Sequence, residues 1–309
     1  MGSTADSGPS SGSADPAAFV VGAGRVGTAL ALRLQQAGWP LLGLWSHSAE
    51  GAKRARRLLG IRCAHGPLPA GVADAKVVIL SVPDPEVPLV GGALLDAGLL
   101  RDALAVLHCG GGRPAQEALP NLAPALPVGT LHPLLAVASP GQAARALRGA
   151  HVAIEGHPLA RDLARRLALA AGCHPFEVPA EGMGLYHAAA VLASNHTVAL
   201  WHAARTLLQE VGLDHRRSLE VLLPLIRSAA DNAEALGLPD ALTGPVRRGD
   251  LQTVLSHLRQ IRRHAPHLEP VYRAGTRAAL QAARDTGASG QQPAWEALEQ
   301  ALSESAEDG

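Results

Sequence analysis

Three glycines carry the spacing most suited to holding a ligand. Gly22-x-Gly24-x-x-Gly27 follows the apolar run Phe19-Val20-Val21 and precedes the helix-like stretch TALALRL. Between a strand and a helix, the first glycine permits a tight turn, the second lets backbone approach a pyrophosphate, and the third lets the helix pack on the strand. The free amides of that helix start, with Arg25 and Val26 among them, then face the phosphates. About twenty residues on, where an NAD-specific site would carry a carboxylate at the end of the second strand, the chain reads LLGLWSHS. Ser46, His47 and Ser48 offer hydroxyls and an imidazole there, with Lys53 and Arg54 following, a set that suits a 2′-phosphate and so predicts NADP. Lys53 and Arg54 would equally serve as a solvated helix face.

The next apolar runs end in SVPDPEV and HCGGG. In a doubly wound sheet the loops at strand C-termini line the ligand crevice, which makes Ser81, Val82, Pro83, His108 and Gly110 expected cofactor walls. Cys109 reads as a small buried residue.

A second group could supply proton chemistry. His187 and Ser194 are seven apart in an Ala-rich helical stretch, nearly on one face, with Asn195 at its edge. His187 would donate a proton or polarise a carbonyl while Ser194 and Asn195 orient the substrate; a helix-packing network of satisfied polar groups fits the same pattern. Tyr186 is an alternative donor. His132, after a strand and before Pro133, would contact substrate or make a local hydrogen bond. Thr243 would close the pocket, Arg247 or Arg248 would neutralise a carboxylate, and Asp250 is placed to cap the helix that follows.

These residues need a scaffold, and its pattern is visible. Short apolar runs (AAFVV, LLGLWS, KVVIL, LAVLH, GTLHPLLAV, HVAIEG, HPFEVP) alternate with Ala/Leu/Arg-rich segments as far as residue 179, as in βαβ units with a parallel sheet. Beyond Ala180 apolar residues recur at three- and four-residue spacing, predicting helices over roughly 182–212, 215–236, 250–263, 268–286 and 293–305. The fold class is therefore α/β, with a Rossmann doubly wound sheet over 17–179 and an all-α domain for substrate and dimerisation over 180–306. Residues 1–16, rich in Ser, Gly, Asp and Pro, are expected to be a disordered tail.

Composition narrows the function classes. The chain has 309 residues, 47% hydrophobic and 17% charged, with 27 basic residues balancing 27 acidic ones, which gives no field for nucleic acid or an anionic membrane. No apolar run spans a bilayer and the first residues lack a secretory signal, so a cytoplasmic location is expected. Three cysteines without CxxC spacing suggest neither disulfides nor a metal site. A small-molecule substrate is the expected partner.

The segments VVGAGRVGTAL, LSVPD, LHCGG, GTLHPLLAV, LYHAAAVLASNHTVAL and ALTGPVRRGD together resemble the Rossmann-like proteins that carry domain of unknown function 2520, within the 6-phosphogluconate dehydrogenase-like superfamily. The resemblance covers nearly the whole chain. It implies an NADP-binding domain, a helical C-terminal domain and a homodimer. Members are similar to ketopantoate reductases, and wider kin include pyrroline-5-carboxylate reductases, prephenate dehydrogenases and imine reductases. Leu131-His132-Pro133-Leu134 looks like the His-Pro-Met element of prephenate dehydrogenases, and Asn195 looks like a helix asparagine directed at substrate in many members. One departure matters: hydroxyacid dehydrogenases and ketopantoate reductases of the superfamily use a lysine on that helix. The only lysines here are Lys53 and Lys76, so a lysine general acid is excluded. The leading expectation is an NADP-dependent reductase of a small 2-oxo acid, imine or related carbonyl compound. A prephenate-type dehydrogenase and a non-catalytic NADPH sensor or scaffold are the alternatives.

Overall fold

The computed structural model describes residues 15–137, 139–287 and 291–303. The chain divides into two compact units, one up to Leu192 and one from Ala193 onward. In the first unit eight strands, β1 (Ala18–Val21), β2 (Leu41–Ser46), β3 (Cys63–His65), β4 (Val77–Leu80), β5 (Ala105–His108), β6 (Val128–Pro133), β7 (His151–Gly156) and β8 (His174–Glu177), form one sheet. Their order is β3-β2-β1-β4-β5-β6-β7-β8, so the order reverses between β1 and β4. The helices are α1 (Arg25–Gln36), α2 (Ala49–Leu59), α3 (Val87–Asp96), α4 (Ala115–Ala118), α5 (Pro140–Leu147), α6 (Pro158–Ala170) and α7 (Met183–Val191).

All residues of β1, β4 and β5 are buried, because helices cover both faces of a parallel sheet and leave no polar side. Alternate side chains enter two cores. Val20, Ile79, Leu107 and Leu131 pack with Leu30, Leu34, Leu163 and Leu167. Phe19, Val21, Val78 and Leu80 pack with Leu94, Leu119 and Leu122. One pair departs from the expected parallel arrangement: β7 runs antiparallel to β6. The connection carries α5, which lies on α1 and does not cross the sheet, so the chain re-enters at the edge it left. Leu134 N–H closes that return on the His151 carbonyl at 2.9 Å.

The expected tail lies outside the described residues as far as position 14. Asp15 and Pro16 are held in place: Arg166 pairs with Asp15 at 2.5 Å, and Trp39 Nε1 donates to the Pro16 carbonyl at 3.0 Å.

The second unit holds α8 (Thr197–Glu210), α9 (His215–Leu236), α10 (Leu238–Ala241), α11 (Gly244–Arg247), α12 (Leu251–His264), α13 (Glu269–Asp285) and α14 (Gln292–Ser303). Residues 304–306 of the expected helical region lie outside the described residues. Trp295, Leu298 and Leu302 meet Val254, Leu258 and Leu280 in a small core, and Trp295 Nε1 donates to the Val246 carbonyl at 3.1 Å, which satisfies the buried indole. Asp250 caps α12 as expected, accepting from Thr253 N–H at 3.0 Å. The helix expected over 182–212 is α7 and α8 with a π-helical turn, Leu192–His196, between them.

Candidate functional site

The turn from β1 into α1 is built as its glycines require. Gly22 has φ +118°, and a Cβ there would overlap the Ser81 carbonyl oxygen. A Cβ on Gly27 would overlap the Gly22 carbonyl and stand 2.9 Å from Ser81 Cβ. Gly24 is different: it is exposed, and a Cβ there would find no protein atom nearer than Ser81 O at 3.9 Å. Gly24 also has no side chain to cap α1, so the first amides of this helix are left for solvent or an anion. Val26 is half-buried. Arg25 is exposed, and its Nη1 donates to the Val137 carbonyl at 2.8 Å.

At the end of β2, Ser46 is buried and Ser48 caps α2 by accepting from Gly51 N–H at 3.1 Å. Gly51 is what lets both hydroxyls gather there, since a Cβ would overlap Ser46 Oγ. His47 is exposed with its ring edge-on to Trp45, and Lys53 and Arg54 lie exposed along α2. Glu50 stands in the first turn of that helix.

At the C-terminal ends of β4, β5 and β6 a second set of side chains meets around the loop Gly110–Ala115. Ser81 and Val82 are half-buried and Pro83 is exposed. Asp84, two residues past Val82, comes so near the loop that a Cβ on Gly110 would lie 2.5 Å from its Oδ1. The same construction on Gly111 meets the His132 ring at 2.7–2.9 Å, and on Gly112 the His187 ring at 3.5 Å. The missing side chains of these glycines let three polar side chains close on one loop. Arg113 adds a tie, donating to the Asp84 carbonyl at 3.1 Å.

His132 Nδ1 and Tyr186 Oη are 2.6 Å apart, joining β6 to α7. Burial, then the neighbouring His187, lowers the His132 pKa to about 4 against an opposing pull from Asp84, so the imidazole is neutral near neutral pH. Burial pushes the Tyr186 phenol up to about 12 and keeps its proton on. The His187 ring stands 5.9 Å from that of His132, and its buried Nδ1 has no hydrogen-bond partner among the described residues. Phe176 packs edge-on against Tyr186 at 5.8 Å. Tyr186, the alternative donor in the sequence, is thus the α7 side chain hydrogen-bonded to His132, while His187 stands beside the pair.

His108 does not line a crevice. It is 1% exposed, with Nδ1 accepting from Gly110 N–H at 3.2 Å and Nε2 bonded to Thr130 Oγ1 at 3.0 Å. Burial is the main reason its pKa falls to about 4. Every position of β5 is buried, so the residue that ends this strand is enclosed where the strand-end rule places a crevice wall. Burial also raises the Cys109 thiol to about 12, which leaves it unreactive.

Ser194, Asn195 and Thr243 belong to the second unit. The seven-residue spacing that would align His187 with Ser194 assumes an unbroken α-helix, and the π-helical turn interrupts it. Ser194 Oγ donates to Asn195 Oδ1 at 2.9 Å. Thr243 is exposed ahead of α11. Arg247 is engaged by the Thr286 hydroxyl and lies 3.9 Å from Asp240. Asp84, Gly111, Gly112, Thr130 and Glu155 were given no role by sequence reasoning. The available signal was a lone polar residue inside an apolar strand, as in VAIEG.

Among the described residues no three His, Cys, Asp or Glu side chains gather to hold a metal, and no helix is long and apolar enough to cross a membrane. No curated protein matches the chain. Among solved structures, a Bacteroides fragilis protein proposed to be an NADP oxidoreductase is similar over 86% of this chain and 98% of its own, at 22% identity and TM-score 0.67. A Thermotoga maritima protein is similar over 87% and 99%, at 24% identity and TM-score 0.67. Plasmodium falciparum pyrroline carboxylate reductase, solved with NADP bound, covers 90% of this chain and 100% of its own at 12% identity and TM-score 0.56. At these identities the likeness is one of fold. Residues 7–133 match the model of a Rossmann-like domain and residues 150–279 that of domain of unknown function 2520. The chain therefore belongs to the proteins that join a Rossmann-like domain to domain of unknown function 2520.

Proposed function

We propose that the chain is an NADP-dependent oxidoreductase that transfers hydride to the carbon of a small carbonyl or imine compound, with Tyr186 as proton donor and His132 behind it. The observation that carries this reading is the 2.6 Å Tyr186–His132 pair set beside the Gly110–Ala115 loop, on the strand ends where open α/β sheets bind ligands. Support for the cofactor comes from the bare start of α1: Gly22 and Gly27 are glycine because protein crowds them, whereas Gly24 is open and fits a pyrophosphate. The hydroxyls of Ser46 and Ser48 and the charges of Lys53 and Arg54 would receive a 2′-phosphate. The similar proteins named above, one solved with NADP, favour the same cofactor.

A bound nicotinamide would supply the hydride. The substrate oxygen or nitrogen then holds a new electron pair and needs a proton. Tyr186 gives its hydroxyl proton, the neutral His132 returns one from Nδ1 to the phenolate, and Nε2 takes a proton from solvent in the same exchange. The unpaired Nδ1 of His187 is a group that a polar substrate atom would satisfy.

The test is a fluorescence titration with NADPH and NADH, followed by turnover of 2-oxo acids and cyclic imines with NADPH and of a cyclohexadienyl acid with NADP+. Tighter binding of NADPH than NADH and depletion of NADPH by an oxo acid or imine are the expected results. Binding of neither nucleotide would overturn the reading. Binding without turnover of any class would make the chain a nucleotide sensor, and turnover of the cyclohexadienyl acid alone a dehydrogenase of the prephenate type.

A further inference from the structure

On the strands that carry and flank His132 lies a set of buried polar groups hydrogen-bonded to one another. His108 is 1% exposed, Thr130 fully buried and Glu155 5% exposed, on three adjacent strands. Their hydrogen bonds run in one determined direction. Gly110 N–H donates to His108 Nδ1 at 3.2 Å, so the proton of this neutral imidazole sits on Nε2. Nε2–H therefore donates to Thr130 Oγ1 at 3.0 Å, and the single hydroxyl proton of Thr130 goes to Glu155 Oε2, also at 3.0 Å. That oxygen accepts a second bond, from Ala115 N–H at 2.8 Å.

Both terminal bonds end on backbone amides that bracket one loop, Gly110 at its start and Ala115, the first residue of α4, where it ends. Between them stand Gly111 against the His132 ring, Gly112 against His187, and Arg113, tied to the Asp84 carbonyl. A buried carboxylate is costly, and apolar side chains of equal volume would fill the interior at no loss of stability. What aliphatic replacements would not do is hold the two ends of the loop at a set height over the strand tips.

We propose that His108, Thr130 and Glu155 are positioning residues: they clamp both ends of the Gly110–Ala115 loop and so fix the floor against which the Tyr186–His132 pair works. The role rests on the proposed reductase site, but the clamp is measurable without a substrate. Thr130→Val removes the central hydroxyl without changing shape, leaving His108 Nε2–H and Glu155 Oε2 short of partners. Thr130→Ser keeps the hydroxyl. Glu155→Gln keeps an acceptor oxygen but loses the charge that strengthens the Ala115 bond.

The experiment is amide hydrogen exchange on the full chain, read on peptides covering 108–112 and 113–118, together with NADPH affinity and kcat. Thr130→Val is expected to speed exchange across both peptides at least about tenfold, the scale of one lost hydrogen bond to a charged group. It should lower kcat by a similar factor and leave NADPH affinity, anchored at the α1 turn, nearly unchanged. Thr130→Ser should restore both readings. If Thr130→Val does not fold, Glu155→Gln decides, with faster exchange expected in 113–118 and protection retained in 108–112. Unchanged exchange in the loop, or an increase spread evenly over the sheet, overturns the clamp whatever the nucleotide measurements show. Faster loop exchange in a chain that binds no nucleotide supports the clamp and overturns only the reductase reading.

Discussion

A phenol whose proton is held on by burial is a useful donor only if something restores that proton, and the 2.6 Å bond to His132 gives Tyr186 such a partner. Tyr186→Phe keeps the ring that packs on Phe176 and removes only the donor. Turnover should fall by about 10²–10⁴-fold, the usual contribution of positioned acid catalysis, with the NADPH dissociation constant unchanged. Equal kcat in the variant would remove Tyr186 from the chemistry. The buried imidazoles have a second consequence, in stability. His108 and His132 titrate near 4 in the folded chain against 6.5 for an ordinary histidine, chiefly because burial disfavours the charged form. As pH falls from about 6.5 towards 4 the unfolded chain takes up protons that the folded chain refuses. Their stabilisation is thus complete above 6.5 and is lost through that window, each contributing a slope of up to about 1.4 kcal/mol per pH unit. Urea unfolding of the wild type and His132→Gln between pH 7 and pH 4 should show a shallower fall in the variant. Parallel curves would mean that His132 is not held neutral.

At the scale of elements the β1–α1 turn separates glycines that the protein needs from the one left for a ligand. Gly27→Ala drives a Cβ into the Gly22 carbonyl and should lower the melting temperature as well as abolish nucleotide binding. Gly24→Ala meets nothing in the protein within 3.9 Å and should leave the melting temperature unchanged, yet weaken NADPH binding at least about tenfold where backbone must approach the pyrophosphate. Unaltered affinity in Gly24→Ala would place the nucleotide elsewhere. That turn was legible because its signal is local: glycine spacing, a buried strand before it and a helix after it. The helices of the second half were legible for the same reason, since apolar spacing repeats within each. The three-residue β3 had no apolar run to reveal it, and the direction of β7 depends on where α5 packs, which no strand pattern encodes. The π-helical turn hid the true register of His187 and Ser194. Tyr186 meets His132 across 54 residues of chain and His108 meets Thr130 across 22, so their types could be read from the sequence but their pairings could not.

For the molecule as a whole, the two ends of the helical unit differ in how well they are covered. α12, α13 and α14 share a core around Trp295, whereas α8 has no buried residue and the 22-residue α9 buries only Ser218. These two helices pack on each other and still leave Val198, Leu200, Val221 and Leu225 exposed, Leu225 by 67%. Helices of this length draw most of their stability in water from packing an apolar face, and exposed apolar surface of this kind marks an interface. We propose a second copy of the chain as its occupant. An isologous pairing covers the same face on both partners at once, and the balance of 27 basic against 27 acidic residues gives two copies no net repulsion to overcome. Light scattering behind size exclusion should accordingly report twice the 31.8 kDa of one chain. The double variant Val221→Glu with Leu225→Glu should shift that mass to the monomer and remove the dependence of the melting temperature on protein concentration that a dimer must show. A wild-type monomer at micromolar concentration would rule the pairing out. A variant that stays dimeric would move the interface away from α9.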